Sequence, residues 1–182
     1  DEDLERLAGF GRVVELRKKE LLFVEGEPYR GPFVVLSGLV VVFKLAEDGG
    51  VAGDGDDTLI GRGGKDVFHA GAGDDTIEIR DVKFRLVDGG AGNDTLELDQ
   101  SHLNLNLTKE RGRISDIETI DMTGHGHNKL TLTALDVLNL SSTSNTLIVD
   151  GKHNDRVVGL DSGWEDGGIA DGYHTFTNGE AV

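Results

Sequence analysis

Aspartates recur at a fixed interval in the middle of the chain. Asp57, Asp66 and Asp75 stand nine residues apart, and Asp94 follows nineteen residues after Asp75. Each has a glycine two positions before it and an apolar residue two positions after it. Glycines permit tight turns with positive φ that expose peptide carbonyls. Carboxylates and carbonyls are hard oxygen ligands, so the pattern predicts repeated binding of a hard divalent cation.

Four nonapeptide units contain these aspartates: 52–60, 61–69, 70–78 and 89–97. In each unit, a Gly-Gly-x-Gly-x-Asp stretch predicts a tight turn, and an x-apolar-x stretch predicts a short strand. Two units complete one coil of a flattened parallel roll, so turns that lie two units apart stack on the same edge. We therefore expect an all-β fold, a parallel β-roll of glycine-rich nonapeptide repeats that continues into further stacked strands.

One edge of this roll is predicted to carry a column of three stacked turns with two slots between them. Such slots suit calcium, because its flexible coordination by six to eight oxygens tolerates carbonyls better than the octahedron of magnesium does. The opposite edge is predicted to bind more weakly through Asp66, because Phe84 and Arg85 stand where a stacked partner would be. The glycines and aspartates of the three stacked turns are the candidate ligands: Gly53, Gly55, Asp57, Gly71, Gly73, Asp75, Gly90, Gly92 and Asp94.

The four units resemble the glycine-rich calcium-binding repeat of the haemolysin-type, or RTX, family. This resemblance implies Ca²⁺ as the cofactor and a secreted or cell-surface protein exported by type I secretion, with the signal beyond residue 182. Segments at 117–124, 128–132, 145–151 and 163–168 resemble the region that follows the repeats in large RTX surface and adhesin proteins. There that region serves as a folded cap or spacer, so cell-surface or polysaccharide ligands are the expected partners of a full-length protein.

The segment 1–49 has a different pattern, which predicts a short helix followed by antiparallel strands. Residues 21–28 and 33–40 resemble the opening of a cyclic-nucleotide-binding domain of the catabolite-activator type. In that family a Gly-Glu pair and an Arg in a later cassette hold the nucleotide, and nothing after Gly50 matches that cassette. Because that cassette is missing, a regulatory nucleotide-binding module is the alternative function and not the leading one. We predict three segments: 1–49, the roll at 50–98, and a β-rich cap or spacer at 99–182 with one helix near 133–140.

The charge and composition narrow the possible partners. The formal net charge is −16, with 34 acidic against 18 basic side chains, which disfavours nucleic acid and anionic membranes. The chain has no cysteine, which excludes disulfides and thiolate metal sites. No stretch approaches the roughly 20 apolar residues of a membrane span.

Few residues are suited to catalysis. Six histidines are present, and His125 and His127 flank Gly126 in a predicted surface turn. Pairs such as Asp56-Asp57 lie among glycines, with no apolar pocket to raise one pKa for acid catalysis. We therefore predict no catalytic residues and no organic cofactor, and the calcium-binding module is interpreted as non-enzymatic. A non-catalytic fragment of a carbohydrate-active enzyme is the second alternative.

Overall fold

Short apolar-polar alternations give short strands joined by tight turns. The structure, a computed structural model, describes residues 49–182, so the predictions for the segment 1–48, including the nucleotide-binding alternative, lie outside the described residues. Within that range the elements are β1 (Gly49–Val51), β2 (Thr58–Ile60), β3 (Val67–Ala72), β4 (Thr76–Ile79), β5 (Leu86–Ala91), β6 (Thr95–Leu98), β7 (Asn104–Asn106), β8 (Ile114–Ser115), β9 (Thr119–Asp121), β10 (Lys129–Thr131), α1 (Ala134–Leu138), β11 (Ile148–Asp150), β12 (Arg156–Val158), β13 (Glu165–Ala170) and β14 (Tyr173–Thr177).

Two parallel sheets form the repeat region. One has the strand order β1-β3-β5-β8, and the other has the order β11-β9-β6-β4-β2. Thr58 pairs with Thr76, and Thr76 pairs with Thr95, so each coil spans two nonapeptide units and the second coil is longer by a single residue. The apolar residue of each unit points inward, and Phe68 and Ile77 are almost completely buried. The predicted β-roll of two units per coil is confirmed.

The roll gains a third side after β6. A third parallel sheet, in the order β12-β10-β7, begins at Asn104, and its central residues Leu105 and Leu130 are buried. The coil lengthens accordingly, because Thr95 pairs with Thr119, and Thr119 pairs in turn with the still more distant Ile148. The predicted further strands are thus stacked on the roll itself, with one continuous apolar core.

Helix α1 follows β10, close to the helix predicted near 133–140, and begins with a capping box. The Oγ1 atom of Thr133 accepts a hydrogen bond from the Asp136 N–H at 3.4 Å, and the Asp136 carboxylate accepts the Thr133 N–H at 2.8 Å. Nε of Arg111 donates to the same carboxylate at 2.5 Å. Burial raises the pKa of Asp136, but the hydrogen bonds from Arg111, Thr133 and Thr108 outweigh it and hold that pKa below its usual value.

The last two strands form an antiparallel hairpin, with a register shift between Asp166 and Gly168. Most of its side chains are exposed, and Ile169 is 77% exposed. Trp164 packs against the core just before the hairpin, which is the turn-packing role that its glycine-rich neighbourhood favours. Among residues 49–182 no helix is long and apolar enough to cross a membrane.

Candidate metal centre

Three glycine-rich turns, 53–57, 71–75 and 90–94, stack directly on one edge of the roll and lead into β2, β4 and β6. The stacking is close enough to demand glycine. Gly73 has φ of 131°, and a Cβ built on it would lie 2.5 Å from the carbonyl carbon of Gly55. Gly92 has φ of 146°, and its Cβ would lie 2.7 Å from the carbonyl carbon of Gly73. Main-chain carbonyls of one turn therefore face the next turn.

In the second and third stacked turns, the aspartate at the sixth position links its turn to the turn before it. Oδ1 of Asp75 accepts the Asp57 N–H at 2.7 Å, and Oδ1 of Asp94 accepts the Asp75 N–H at 2.9 Å. Asp75 and Asp94 are 1% and 0% exposed, and the Oδ2 atom of each is buried without a hydrogen-bond donor. Asp57, Asp75 and Asp94 therefore stack in a column, and Asp75 and Asp94 each have one buried oxygen without a donor.

Acidic side chains at the fifth position form a second series of hydrogen bonds, in which the carboxylate of one turn accepts an N–H from the following turn. Oδ1 of Asp56 accepts the Asp74 N–H at 2.9 Å, and Oδ1 of Asp74 accepts the Asn93 N–H at 2.8 Å. The first slot between turns is thus bordered by Asp56 from below and Asp75 from above. Asp56 and Asp74 are not among the ligands predicted from the sequence, although an acid or amide at this position in each turn of the column was the available signal.

This concentration of carboxylates is electrostatically unfavourable without a cation. Burial raises the pKa of Asp75, and the charges of Asp57, Asp56 and Asp74 add to the rise against a lowering hydrogen bond from the Asp57 N–H. Burial likewise raises the pKa of Asp94 to about 6. Buried anions need a proton or a counter-ion, so both residues favour the arrival of a cation.

The available donor atoms fit calcium. All of them are oxygens, and buried oxygens of Asp75 and Asp94 lack hydrogen-bond donors. Within the described part of the chain, no group of three or more His, Cys, Asp or Glu side chains converges on one point. Main-chain carbonyls and water must therefore complete any coordination shell, which calcium accepts more readily than magnesium does.

The opposite edge is built differently. Asp66 is 3% exposed, and its main-chain oxygen accepts the Arg85 N–H at 2.7 Å, which places Arg85 where a stacked aspartate would be. The carboxylate of Asp81 accepts the Gly64 N–H at 3.2 Å and lies 3.5 Å from Nζ of Lys83. This edge therefore lacks a second glycine turn above 61–66, and a lysine already partners one of its acids.

The histidines do not gather around a ligand. The rings of His102 and His127 stack with centroids 5.4 Å apart, and Nδ1 of His125 lies 3.4 Å from Oδ1 of Asp99. All three side chains are exposed, and a surface turn was predicted for His125 and His127.

Comparison with known proteins identifies the repeats. A family model of the RTX calcium-binding nonapeptide repeat matches residues 51–77 and 86–100, in four copies. RTX nonapeptide repeats bind Ca²⁺, so the chain carries calcium-binding repeats at the turns described above. Comparison with curated proteins and with solved structures gave no match.

Proposed function

Because residues 51–77 and 86–100 are RTX calcium-binding repeats, we propose that the chain is a non-enzymatic module that calcium folds and stabilises in a secreted or surface protein. The observation that carries this proposal is the pair of buried Oδ2 atoms of Asp75 and Asp94, which have no donor and lie at stacked glycine turns. A calcium ion bound beside each of these oxygens would satisfy it.

The ligand roles follow from the positions in the turns. Asp75 and Asp94 supply buried carboxylate oxygens, and Asp57 supplies a partly exposed one at the N-terminal end of the column. Main-chain oxygens of the stacked turns complete the shells, from Gly53, Gly55, Gly71, Gly73, Gly90 and Gly92. Asp66 on the other edge binds calcium more weakly, because no glycine turn stacks above it.

The folding role rests on linkage. An ion that binds only the folded roll stabilises it in proportion to the logarithm of ion concentration over Kd. Without calcium, the buried carboxylates repel one another. Burial and these charges raise the pKa of Asp94 to about 6, so its ionised form at neutral pH destabilises the fold. A calcium-poor cytosol therefore favours the unfolded chain, and millimolar extracellular calcium favours the folded roll. This difference supports a secreted or surface location and a structural or adhesive role.

A catalytic role has little support in the described residues. An open cavity of about 300 Å³ is lined by Glu110, Arg111 and Asp136 among others. Its acids are already engaged, because Asp136 pairs with Arg111 and Glu110 pairs with Arg113. A screen for cleavage of uronate polysaccharides tests this part of the proposal, and we expect no turnover.

The decisive test is circular dichroism and calorimetric titration of the full chain with calcium and with magnesium, starting from chelator-treated protein. We expect calcium to increase β signal and melting temperature, and magnesium to do so far less. Asp75→Asn should lose most of the calcium response, whereas Asp161→Asn, which removes the same charge from an exposed site, should keep it. Equal responses of the two variants, or no response to calcium, would contradict the proposal.

A further inference from the structure

The aspartate column continues one coil beyond the last glycine-rich unit. Asp94 precedes Thr95, and Glu118 precedes Thr119, which pairs with Thr95. Oε2 of Glu118 accepts the Asp94 N–H at 2.8 Å, which repeats the hydrogen bond that Asp94 makes to Asp75. Glu118 is 8% exposed, so it takes the sixth position of a further turn in the column without a glycine motif.

The turn that carries Glu118 shares one backbone feature with the glycine turns, a residue with positive φ two positions before the acid. Asp116 stands two residues before Glu118, as Gly92 stands before Asp94, and it has φ of 51° although it is not glycine. Its main-chain oxygen lies against Gly89, where any Cβ would clash with it. The same Cβ would lie 2.7 Å from Oδ2 of Asp94. Two oxygens from different coils thus converge beside Gly89, and one of them, Oδ2 of Asp94, is buried without a donor.

We propose that Asp94, Glu118 and the main-chain oxygen of Asp116 form a further calcium site at the closed end of the column. This inference rests on the proposed calcium-binding function. The two carboxylates are more than nine-tenths buried, and neither forms an ion pair with a Lys, Arg or His among residues 49–182. Two neighbouring buried anions without a counter-ion are costly, and a hard cation removes that cost.

The site differs from the slots below it in its supply of carbonyls. No glycine stands in the segment 113–118 that leads into β9, whereas Gly90 and Gly92 lead into β6 with positive φ. Asn93, at the fifth position below, is also turned away, since its Nδ2 lies 3.4 Å from Oδ1 of Asp74. Water must therefore fill more of the shell, so this ion binds more weakly than those held between glycine turns.

The test is calorimetric titration of the full chain with calcium alone, comparing wild type with Glu118→Gln. The amide keeps an acceptor for the Asp94 N–H but removes the charge. We expect the variant to bind one calcium fewer, with the weakest step lost and the tighter steps kept. Glu97→Gln is the matched control, because Glu97 lies on β6 outside the turns and should leave the stoichiometry unchanged.

A purely structural role for Glu118 gives a different result. In that case Glu118→Gln would bind the same number of ions with the same affinities, and the inference would be overturned while the proposed function stood. Wild-type protein that binds no calcium would overturn both. Melting distinguishes the roles if Glu118→Gln folds poorly: Glu118→Asp, which keeps the charge but shortens the reach, should lower the melting temperature more in calcium than in chelator. An equal drop in both would also reject the site.

Discussion

Replacing Asp94 with asparagine should stabilise the calcium-free protein at neutral pH, although the residue is a proposed calcium ligand. Asp94 is 0% exposed, and burial, together with the charges of Asp75, Glu118 and Asp74, raises its pKa to about 6 despite the hydrogen bond from the Asp75 N–H. Asparagine has the shape of the protonated acid, and its Oδ1 can still accept that N–H. The variant therefore keeps the hydrogen bond from the Asp75 N–H and loses the buried negative charge.

The magnitude follows from proton linkage. The pKa of Asp94 is about 6 in the fold against 3.8 for the free side chain, so the folded state binds more protons between those values. Stability of the calcium-free fold therefore falls as pH rises from about 4 to above 6, by about 3 kcal/mol at most at 1.36 kcal/mol per pKa unit. At pH 7, Asp94→Asn should recover up to this amount, and near pH 4 it should change little.

The measurement is urea unfolding of chelator-treated protein at pH 4 and pH 7, followed by circular dichroism. Asp161→Asn controls for net charge, because it removes one exposed carboxylate. In saturating calcium the order should reverse, with Asp94→Asn melting below wild type because an ion has lost a ligand. A calcium-free Asp94→Asn protein that is less stable than wild type at pH 7 would refute the reasoning, since it would mean that the ionised carboxylate stabilises the turn.

Four further outcomes are expected. Asp75→Asn should lose more calcium affinity than Asp57→Asn in calorimetry, because Asp75 borders both slots between glycine turns; equal losses would reject the two-slot column. Asp66→Asn should keep most of the binding, and a loss as large as that of Asp75→Asn would show metal on both edges. Gly92→Ala should lower stability by roughly 1–3 kcal/mol in thermal melts, because its φ is 146° and the turn below leaves no room for a Cβ. The apparent calcium affinity should fall as pH drops below about 6, the pKa of Asp94, because protons compete for the carboxylates, and a constant affinity down to pH 4 would contradict carboxylate ligation.

The repeat region was predictable because its information is local. A glycine at each strained turn position and an apolar residue in each strand set the coil at two units, which places Asp57 beside Asp75 in the structure. The helix near 134–138 was predictable for the same reason, since Thr133 and Asp136 have the spacing of a capping box. In both cases residues only a few positions apart determine the structure.

The third sheet was not predictable to the same degree, because it depends on pairings between coils of unequal length. The alternating apolar residues Leu103, Leu105 and Leu107 are typical of a strand, but the alternation does not determine which sheet the strand joins. The longer coils that follow Thr95 have no repeated motif. Glu118 was missed for this reason. It lies one coil after Asp94, but that coil is longer than two nonapeptide units and Glu118 belongs to no glycine-rich repeat. The fifth-position acids of the turns were missed because the direction of a carboxylate depends on an N–H in the neighbouring turn.

The two oxygens of each buried carboxylate in the column have different roles: one accepts a backbone hydrogen bond, and the other is the proposed calcium ligand. In Asp75 and Asp94, Oδ1 is fixed by an N–H of the preceding coil, which holds Oδ2 in place without a donor. In the folded roll the backbone therefore holds Oδ2 in place, so the entropy of ordering this ligand is lost at folding and not at ion binding. The same hydrogen bond keeps the carboxylate buried, where its negative charge is unfavourable without a cation. Under the proposed function, the cation would remove that penalty only in the stacked arrangement, which would couple folding to calcium binding through the same side chains.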